Sequence, residues 1–424
     1  MPSSCIKKSE TFNDRPREGP EITKALNMPR FRSEPIVFLS AARTPIGSFM
    51  GDLIGLTAVE LGAASIRGAL AACATPKDAL DEVLMGCVLP AGLGQAPARQ
   101  AALASGLPES IPCTTVNKVC GSGMKAVIAL HDALAVESVS LGVAGGMESM
   151  SNTPYLLSRA RSGYRIGHGA LLDHMMVDGL EDAYDVGRSM GEFGEDCARQ
   201  YGFSREQQDE YARDSIEWAL HASHDEAFFD EIIPVDVPSR QGAIRIDSDE
   251  GPRRASLEKI ATLKPAFSKN GTITAASSSS ISDGAAALVM CRESTAEALG
   301  IKPLARLIGH ASFAREPRHF PTAPIGAIRS LCNKNRWRIK DVDLWEINEA
   351  FAVVVLAAMQ DLKIARNQVN VHGGACALGH PIGASGARII VTLIHALRRK
   401  GAHRGVASLC IGGGEATAVG IELV

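Results

Sequence analysis

Two glycine-rich turns in this chain carry residues able to do nucleophilic chemistry. The first, Val116-Asn117-Lys118-Val119-Cys120-Gly121-Ser122-Gly123-Met124-Lys125, sets Cys120 between a strand-like segment and the start of an apolar helix. A helix start carries N–H groups without intrahelical partners and the positive end of the helix dipole. Such a setting is expected to lower a thiol's pKa and favour the thiolate, which is the nucleophile. The second turn, Gly373-Gly374-Ala375-Cys376-Ala377-Leu378-Gly379-His380-Pro381-Ile382-Gly383, offers His380, and a thiol nucleophile needs a base within hydrogen-bond reach. Leu409-Cys410-Ile411-Gly412-Gly413-Gly414 ends a strand in a glycine turn and brings a second thiol, suited to acid/base work. Trp345-Glu346-Ile347-Asn348-Glu349-Ala350-Phe351 places Asn348 and Glu349 just before an apolar helix expected over Ala350–Met359. Either side chain could cap that helix or point into a site. Each feature has a plainer reading: a cysteine is usually a small buried hydrophobe, and an isolated histidine is usually structural.

The elements that must position these residues occur twice. Gly121–Leu134 and Ala384–Leu397 both begin with Ser-Gly, a spacer and a basic residue, continue as a largely apolar helix, and finish with His before Ala-Leu. A helix apolar on nearly all sides is buried. Each is followed by a strand, Val139–Gly146 and Gly405–Gly413. The second copy then enters a final strand, Glu415–Leu423, whose counterpart Asp283–Met290 comes only after a long insertion. Both copies also open alike, with Pro35-Ile-Val-Phe-Leu-Ser and Pro303-Leu-Ala-Arg-Leu-Ile. The expected architecture is therefore α/β, with two pseudo-symmetric layered halves, 35–151 plus 282–302 and 303–424, and a polar insertion at 152–281. The two apolar helices should lie centrally, between the sheets of the halves. His380 then occupies the turn that matches the turn of Cys120, so a cysteine and a histidine from opposite repeats can meet.

Composition narrows the function classes. The 424 residues suit two or three domains at ~150 residues each. A net charge of −3 gives no general attraction to nucleic acid or anionic membranes, and no apolar run reaches the ~20 residues of a membrane-spanning helix. Ten cysteines without CxxC or Cys/His metal spacing read as reduced thiols of an intracellular protein, with no metal site. Residues 1–34 are polar and aperiodic, and read as a disordered extension without the apolar core of a signal peptide. Glu10, Asp14, Glu18 and Glu21 argue against a mitochondrial transit peptide, and the C-terminal Ile-Glu-Leu-Val is not the peroxisomal SKL signal. The expected location is cytoplasmic, with organellar targeting by residues 1–34 as the alternative.

Four motifs, NKVCGSGMKA (117–126), NEAF (348–351), GHPIGASGAR (379–388) and CIGGG (410–414), resemble the thiolase family in order and spacing. SAARTPIG (40–47) and GGMESMS (145–151) match it too. The resemblance runs from about residue 35 to the C-terminus and is strongest to the acetoacetyl-CoA thiolases, the acetyl-CoA acetyltransferases. It implies a thiolase-like fold whose insertion is a loop domain covering coenzyme A. It implies reversible Claisen condensation of two acetyl-CoA to acetoacetyl-CoA and CoA through an acyl-cysteine. CoA thioesters are the implied substrates, with no tightly bound cofactor, in a dimer or a dimer-of-dimers tetramer.

By position, Cys120 is similar to the acylated nucleophile, His380 to its base, and Cys410 to the group that exchanges the acetyl methyl proton. Asn348 resembles the holder of a water that, with His380, makes one oxyanion hole; the N–H groups of Cys120 and Gly412 resemble the second. Each donor of such a hole contributes ~3 kcal/mol, and perturbed pKa values are expected at both thiols. Leu180, Ser189, Met190, Phe267, Ala275, Ser279, Phe320 and Phe351 match CoA-contact positions. Arg253 and Arg254 are candidate phosphate or adenine partners, with a solvated surface pair as the alternative. Three departures stand out: Ala276-Ser277-Ser278-Ser279 where the family often has Gly-Asn before the serine, His372 where an Asn is common, and the 34-residue extension. Competing readings are a 3-ketoacyl-CoA thiolase of longer chains in fatty-acid β-oxidation, a decarboxylating ketosynthase, and a non-catalytic CoA- or lipid-binding protein.

Overall fold

Side chains alternate across a strand with a period of two, so a strand covered on both faces must be apolar throughout. The strands of this chain meet that condition in the structure, a computed structural model that describes residues 34–424. The disordered extension expected for residues 1–34 falls on residues outside that range, apart from Glu34, whose carboxylate accepts hydrogen bonds from Ser294.

The first half contributes β1 (Ile36–Arg43), α1 (Ala58–Cys73), β2 (Glu82–Gly86), α2 (Pro97–Ala104), β3 (Cys113–Val116), α3 (Ser122–Ala135) and β4 (Leu141–Ser149). Next come α4 (Met190–Tyr201) and α5 (Arg205–His224), then β5 (Ser282–Arg292). The second half supplies β6 (Ala305–Ala314), α6 (Ala323–Asn335), β7 (Leu344–Ile347), α7 (Ala352–Leu362), α8 (Ile382–Lys400), β8 (Arg404–Ile411) and β9 (Glu415–Leu423). The helix expected over Ala350–Met359 thus starts at Ala352, because Phe351 is still extended.

These strands form one sheet in the order β7-β8-β9-β6-β1-β5-β4-β2-β3. Read outward from its centre, β1-β5-β4-β2 and β6-β9-β8-β7 carry the same sequence of antiparallel, antiparallel and parallel pairings. The repeat in the sequence is therefore a repeat in topology. The halves are joined by antiparallel pairing of Ile36–Phe38 with Ala305–Leu307, so the two expected sheets are hydrogen-bonded into one.

Alternation assigns the layers. In β5, Ala286, Leu288 and Met290 join one core, which contains α3 and α8, while Ala287, Val289 and Cys291 join another, against α1. In β8, Ala407, Leu409 and Ile411 face α3 and α8, and Val406 and Cys410 face α6 and α7. The two apolar helices are accordingly sandwiched between the half-sheets. Local signals start and stop the helices. Thr57 and Glu60 cap α1 reciprocally, and Gly401 ends α8 at φ +62°.

Arg43, in the SAARTPIG motif, fixes the segment after β4 to the sheet. Its guanidinium is fully buried, donates to Asp249 at 2.7 and 2.9 Å, and donates to Glu231 at 2.6 Å. Removing one member of such a buried cluster would leave uncompensated charge, at a cost of roughly 3–5 kcal/mol.

Candidate active site

The first turns of α3 and α8 touch through their backbones. A Cβ on Gly386 would lie 2.4 Å from the amide nitrogen of Met124, and one on Gly123 would lie 3.0 Å from the carbonyl oxygen of Gly383. Glycine inside a helix costs about 1 kcal/mol against alanine, less than the ~1.5–3 kcal/mol from burying each large apolar side chain along these helices. The turn carrying Cys120 leads into one of these helices and the turn carrying His380 into the other, each at the end where the helices touch.

Cys120 sits two residues before α3, behind Val119, which is held at φ +46°. A β-branched residue rarely adopts that left-handed conformation, and the cost is of order 1–3 kcal/mol. The backbone N–H groups of Gly412 and of Cys120 itself lie close enough to the Cys120 sulfur to favour its thiolate. Gly413 and Gly414 follow at φ +89° and +90°, a turn between β8 and β9 that only glycine adopts easily. Cys410, at the end of β8, is buried and within electrostatic reach of Cys120.

The thiol environment differs from the expectation. Burial pushes the Cys120 thiol up to about 11, against the opposing pull of the Gly412 and Cys120 N–H groups. Desolvation thus outweighs the helix start, and the resting residue is a thiol. Cys410 is raised well above its usual value by burial and by the neighbouring Cys120. A base must therefore take the proton as the nucleophile reacts.

His380 is buried, and burial lowers its pKa to about 3, so its imidazole is neutral. Its Nδ1 lies 2.5 Å from Ser385 Oγ, which donates its own proton to the Pro381 carbonyl at 2.9 Å. The Ser385 oxygen then accepts, which puts the imidazole proton on Nδ1 and leaves the Nε2 lone pair facing Asn348. Nε2 stands 3.5 Å from Asn348 Nδ2, and Asn348 Oδ1 is buried without a partner. The arrangement suits proton abstraction at Nε2, with a buried amide beside it available to a small polar group.

Beside Asn348, Glu349 accepts from Tyr211, Ser215, Asn370 and the Cys376 amide, so it organises the turn before His380. The 277–280 segment runs between both turns: Ala352 donates to Ser277 O at 2.8 Å, Ser279 donates to Ala350 O at 3.0 Å, and His380 donates to Ser280 O at 3.1 Å. Glu148 of β4 fastens α8 from below, accepting from Val88 at 2.9 Å, Leu89 at 3.2 Å and Gly383 at 3.0 Å. Burial raises its carboxyl to about 7 against those three N–H groups.

Several of the expected CoA-contact residues gather above this group. Met190 opens α4 with its sulfur 3.5 Å from where a Cβ on Gly412 would stand. Phe267 and Phe351 pack edge to face at 5.6 Å, and Phe320 packs on Phe193 of α4 at 6.2 Å. Ser189 precedes α4 and donates to Glu192. Ser279 also donates its hydroxyl to Ala350 O. Leu180 packs among Val88, Leu89 and Ile382, and Ala275 is exposed on the loop before Ser277.

Arg253 and Arg254 are not brought to this wall by any contact. Arg253 donates to Asp52 at 2.6 Å and Arg254 pairs with Glu250 at 2.7 Å, the ion-paired surface arrangement. His372 is buried edge-on to Phe228 with Nδ1 unpartnered, and burial lowers it to about 4. Ser385 and Glu148 were not singled out from sequence, although both lie inside quoted motifs. A serine five positions after the histidine was the available signal for the first.

The chain belongs to the thiolase family: residues 36–294 match the model of the thiolase N-terminal domain and 301–423 that of the C-terminal domain. Among curated relatives, it is 45% identical to an acetyl-CoA acetyltransferase of Allochromatium vinosum, over 92% of this chain and 99% of the relative. It is 48% identical to acetyl-CoA acetyltransferase 2 of Arabidopsis thaliana, over 92% and 97%. The crystal structure of Acat5 thiolase from Ascaris suum in complex with coenzyme A superposes with a TM-score of 0.88 at 42% identity, covering 92% of this chain and all of that one. Among the described residues, no helix is long and apolar enough to cross a membrane.

Proposed function

We propose that this thiolase is an acetyl-CoA C-acetyltransferase. The observation that supports the reading is the buried His380, its Nδ1 2.5 Å from Ser385, on the turn leading into the helix that packs against the helix following Cys120. In the first half-reaction Nε2 takes the Cys120 proton as sulfur attacks the acetyl carbonyl, and CoA leaves as the thiol. Cys410 gives its proton to the departing CoA sulfur, and in the second half-reaction its thiolate takes a methyl proton from another acetyl-CoA. The resulting carbanion attacks the acyl-cysteine, and the Cys120 sulfur leaves with the proton held on His380 as acetoacetyl-CoA is released. The N–H groups of Cys120 and Gly412, both near the sulfur, would stabilise charge on the attacked carbonyl oxygen. The Asn348 amide beside His380 would hold a water for the enolate oxygen. Met190, Phe267, Phe320 and Phe351 form the apolar wall along which the pantetheine would run.

The names of the relatives support the short-chain specificity, as does the identity over nearly their whole length. CoA thioesters are the substrates in this reading, no tightly bound cofactor takes part, and the enzyme is a dimer or a dimer of dimers. Halves 35–151 plus 282–302 and 303–424, with 152–281 as the CoA-covering domain, are the corresponding division. Thiolysis across a series of 3-ketoacyl-CoA chain lengths tests the specificity. Turnover of acetoacetyl-CoA well above that of 3-ketohexadecanoyl-CoA is expected; the reverse order would make the protein a long-chain thiolase.

A further inference from the structure

Near the end of α3 remote from Cys120, two imidazoles and a carboxylate converge. His131 and Asp132 lie on α3, and His310 lies on β6 of the other half. His131 Nδ1 is 3.2 Å and His310 Nε2 is 2.9 Å from the same oxygen, Asp132 Oδ1. One ligand atom from each residue lies within 4.8 Å of the other two. The two rings stand nearly perpendicular, 81° apart with centroids at 5.1 Å, edge to face rather than stacked.

We propose that His131, Asp132 and His310 form a binding site for a divalent transition-metal ion of the zinc class. Bonds of 2.0–2.1 Å in a tetrahedral site separate neighbouring ligand atoms by ~3.3 Å. The observed 3.2 and 2.9 Å therefore need only a small opening. Two nitrogens and one oxygen suit zinc-like ions better than magnesium or calcium, which take oxygen, or copper(I), which takes sulfur. The imidazoles are half-buried, at 17% and 24% exposure, while Asp132 is 54% exposed, which leaves a fourth position for water. Binding moves each imidazole proton to the other ring nitrogen, without net charge change.

The simpler reading is an aspartate accepting two N–H bonds, and it uses the same atoms; only a metal titration separates them. The site is remote from the thiols and joins the halves just beyond the short β1–β6 pairing, so an ion there would act as a clasp. Its residues are 178 positions apart in sequence, which hides them from any spacing motif.

The test is titration of the full-length protein with zinc by calorimetry and with cobalt(II) by visible absorption. One equivalent should bind with a Kd on the order of micromolar, and the cobalt spectrum should show d–d bands without thiolate charge transfer. His310→Ala should weaken that event roughly tenfold or more, abolish the zinc-induced rise in Tm, and leave thiolysis intact. Asp132→Asn repeats the test without removing a ring. Unchanged zinc affinity in both variants, or no binding to the native protein at ~100 μM zinc, would overturn the proposal.

Discussion

Ser385→Ala tests the proton placement on which the reaction depends. Ser385 is buried, accepts from His380 Nδ1 at 2.5 Å, and donates to Pro381 O at 2.9 Å. Alanine leaves Nδ1–H without an acceptor in a site that burial has dried. A buried unpaired donor costs ~1–3 kcal/mol, and the bond matters more once His380 carries the thiol proton, because charge-assisted bonds are about twice as strong. The imidazole can escape the penalty by moving its proton to Nε2, but then it can no longer act as base. Either way the loss falls on the transition state. At 1.36 kcal/mol per decade, roughly 10- to 100-fold in kcat is expected. Ser385 does not face the Met190–Phe351 wall, so KM for acetoacetyl-CoA should stay within about twofold. Steady-state thiolysis and single-turnover acylation by acetyl-CoA read the two quantities, with circular dichroism to verify the fold. Wild-type kcat in Ser385→Ala would refute the tautomer argument.

Cys410→Ala should still accept an acetyl group from acetyl-CoA on Cys120 but should make no acetoacetyl-CoA; normal synthesis would remove Cys410 from the proton-transfer role. Glu148→Gln should lower stability by about 2 kcal/mol or more in denaturant melts, since an amide must turn donors toward the N–H groups of Val88, Leu89 or Gly383; an unchanged midpoint would contradict it. The Cys120 thiol at about 11 and His380 at about 3 are both uncharged through the neutral range. The acylation rate should therefore be nearly flat from pH ~5 to ~8, and a step near the ordinary imidazole value of ~6.5 would count against the assignment. The linked stability term has a definite sign. Between about 3 and 6.5 the unfolded chain binds more protons at His380 than the native protein does. Its contribution is therefore complete above 6.5 and lost as pH falls toward 3.

The twofold layout was legible because the chain repeats itself: matching helices implied matching turns, and the sheet order reproduces that symmetry for four strands of each half. The strand faces were legible from alternation, as β5 shows. Energies that depend on enclosure were not. A helix start argues for a lowered Cys120 pKa, yet desolvation by the surrounding half-sheets reverses the sign. Nor could spacing reveal that Glu148 and Glu349 hold the turns, because their partners come from distant strands and loops. Arg253 shows a partner that spacing could not reveal: Asp52, far away in sequence, stands beside it.

The central claim is that Cys120 carries the acyl group. Incubation with acetyl-CoA alone, followed by acid quench, digestion and mass spectrometry, tests it most directly. The account predicts a single acetyl group on the peptide containing Cys120, removed by a chase of free CoA and absent from Cys120→Ala, which should fold normally but lack turnover in both directions. Stable acetylation of Cys410 instead, or turnover retained by Cys120→Ala, would contradict it.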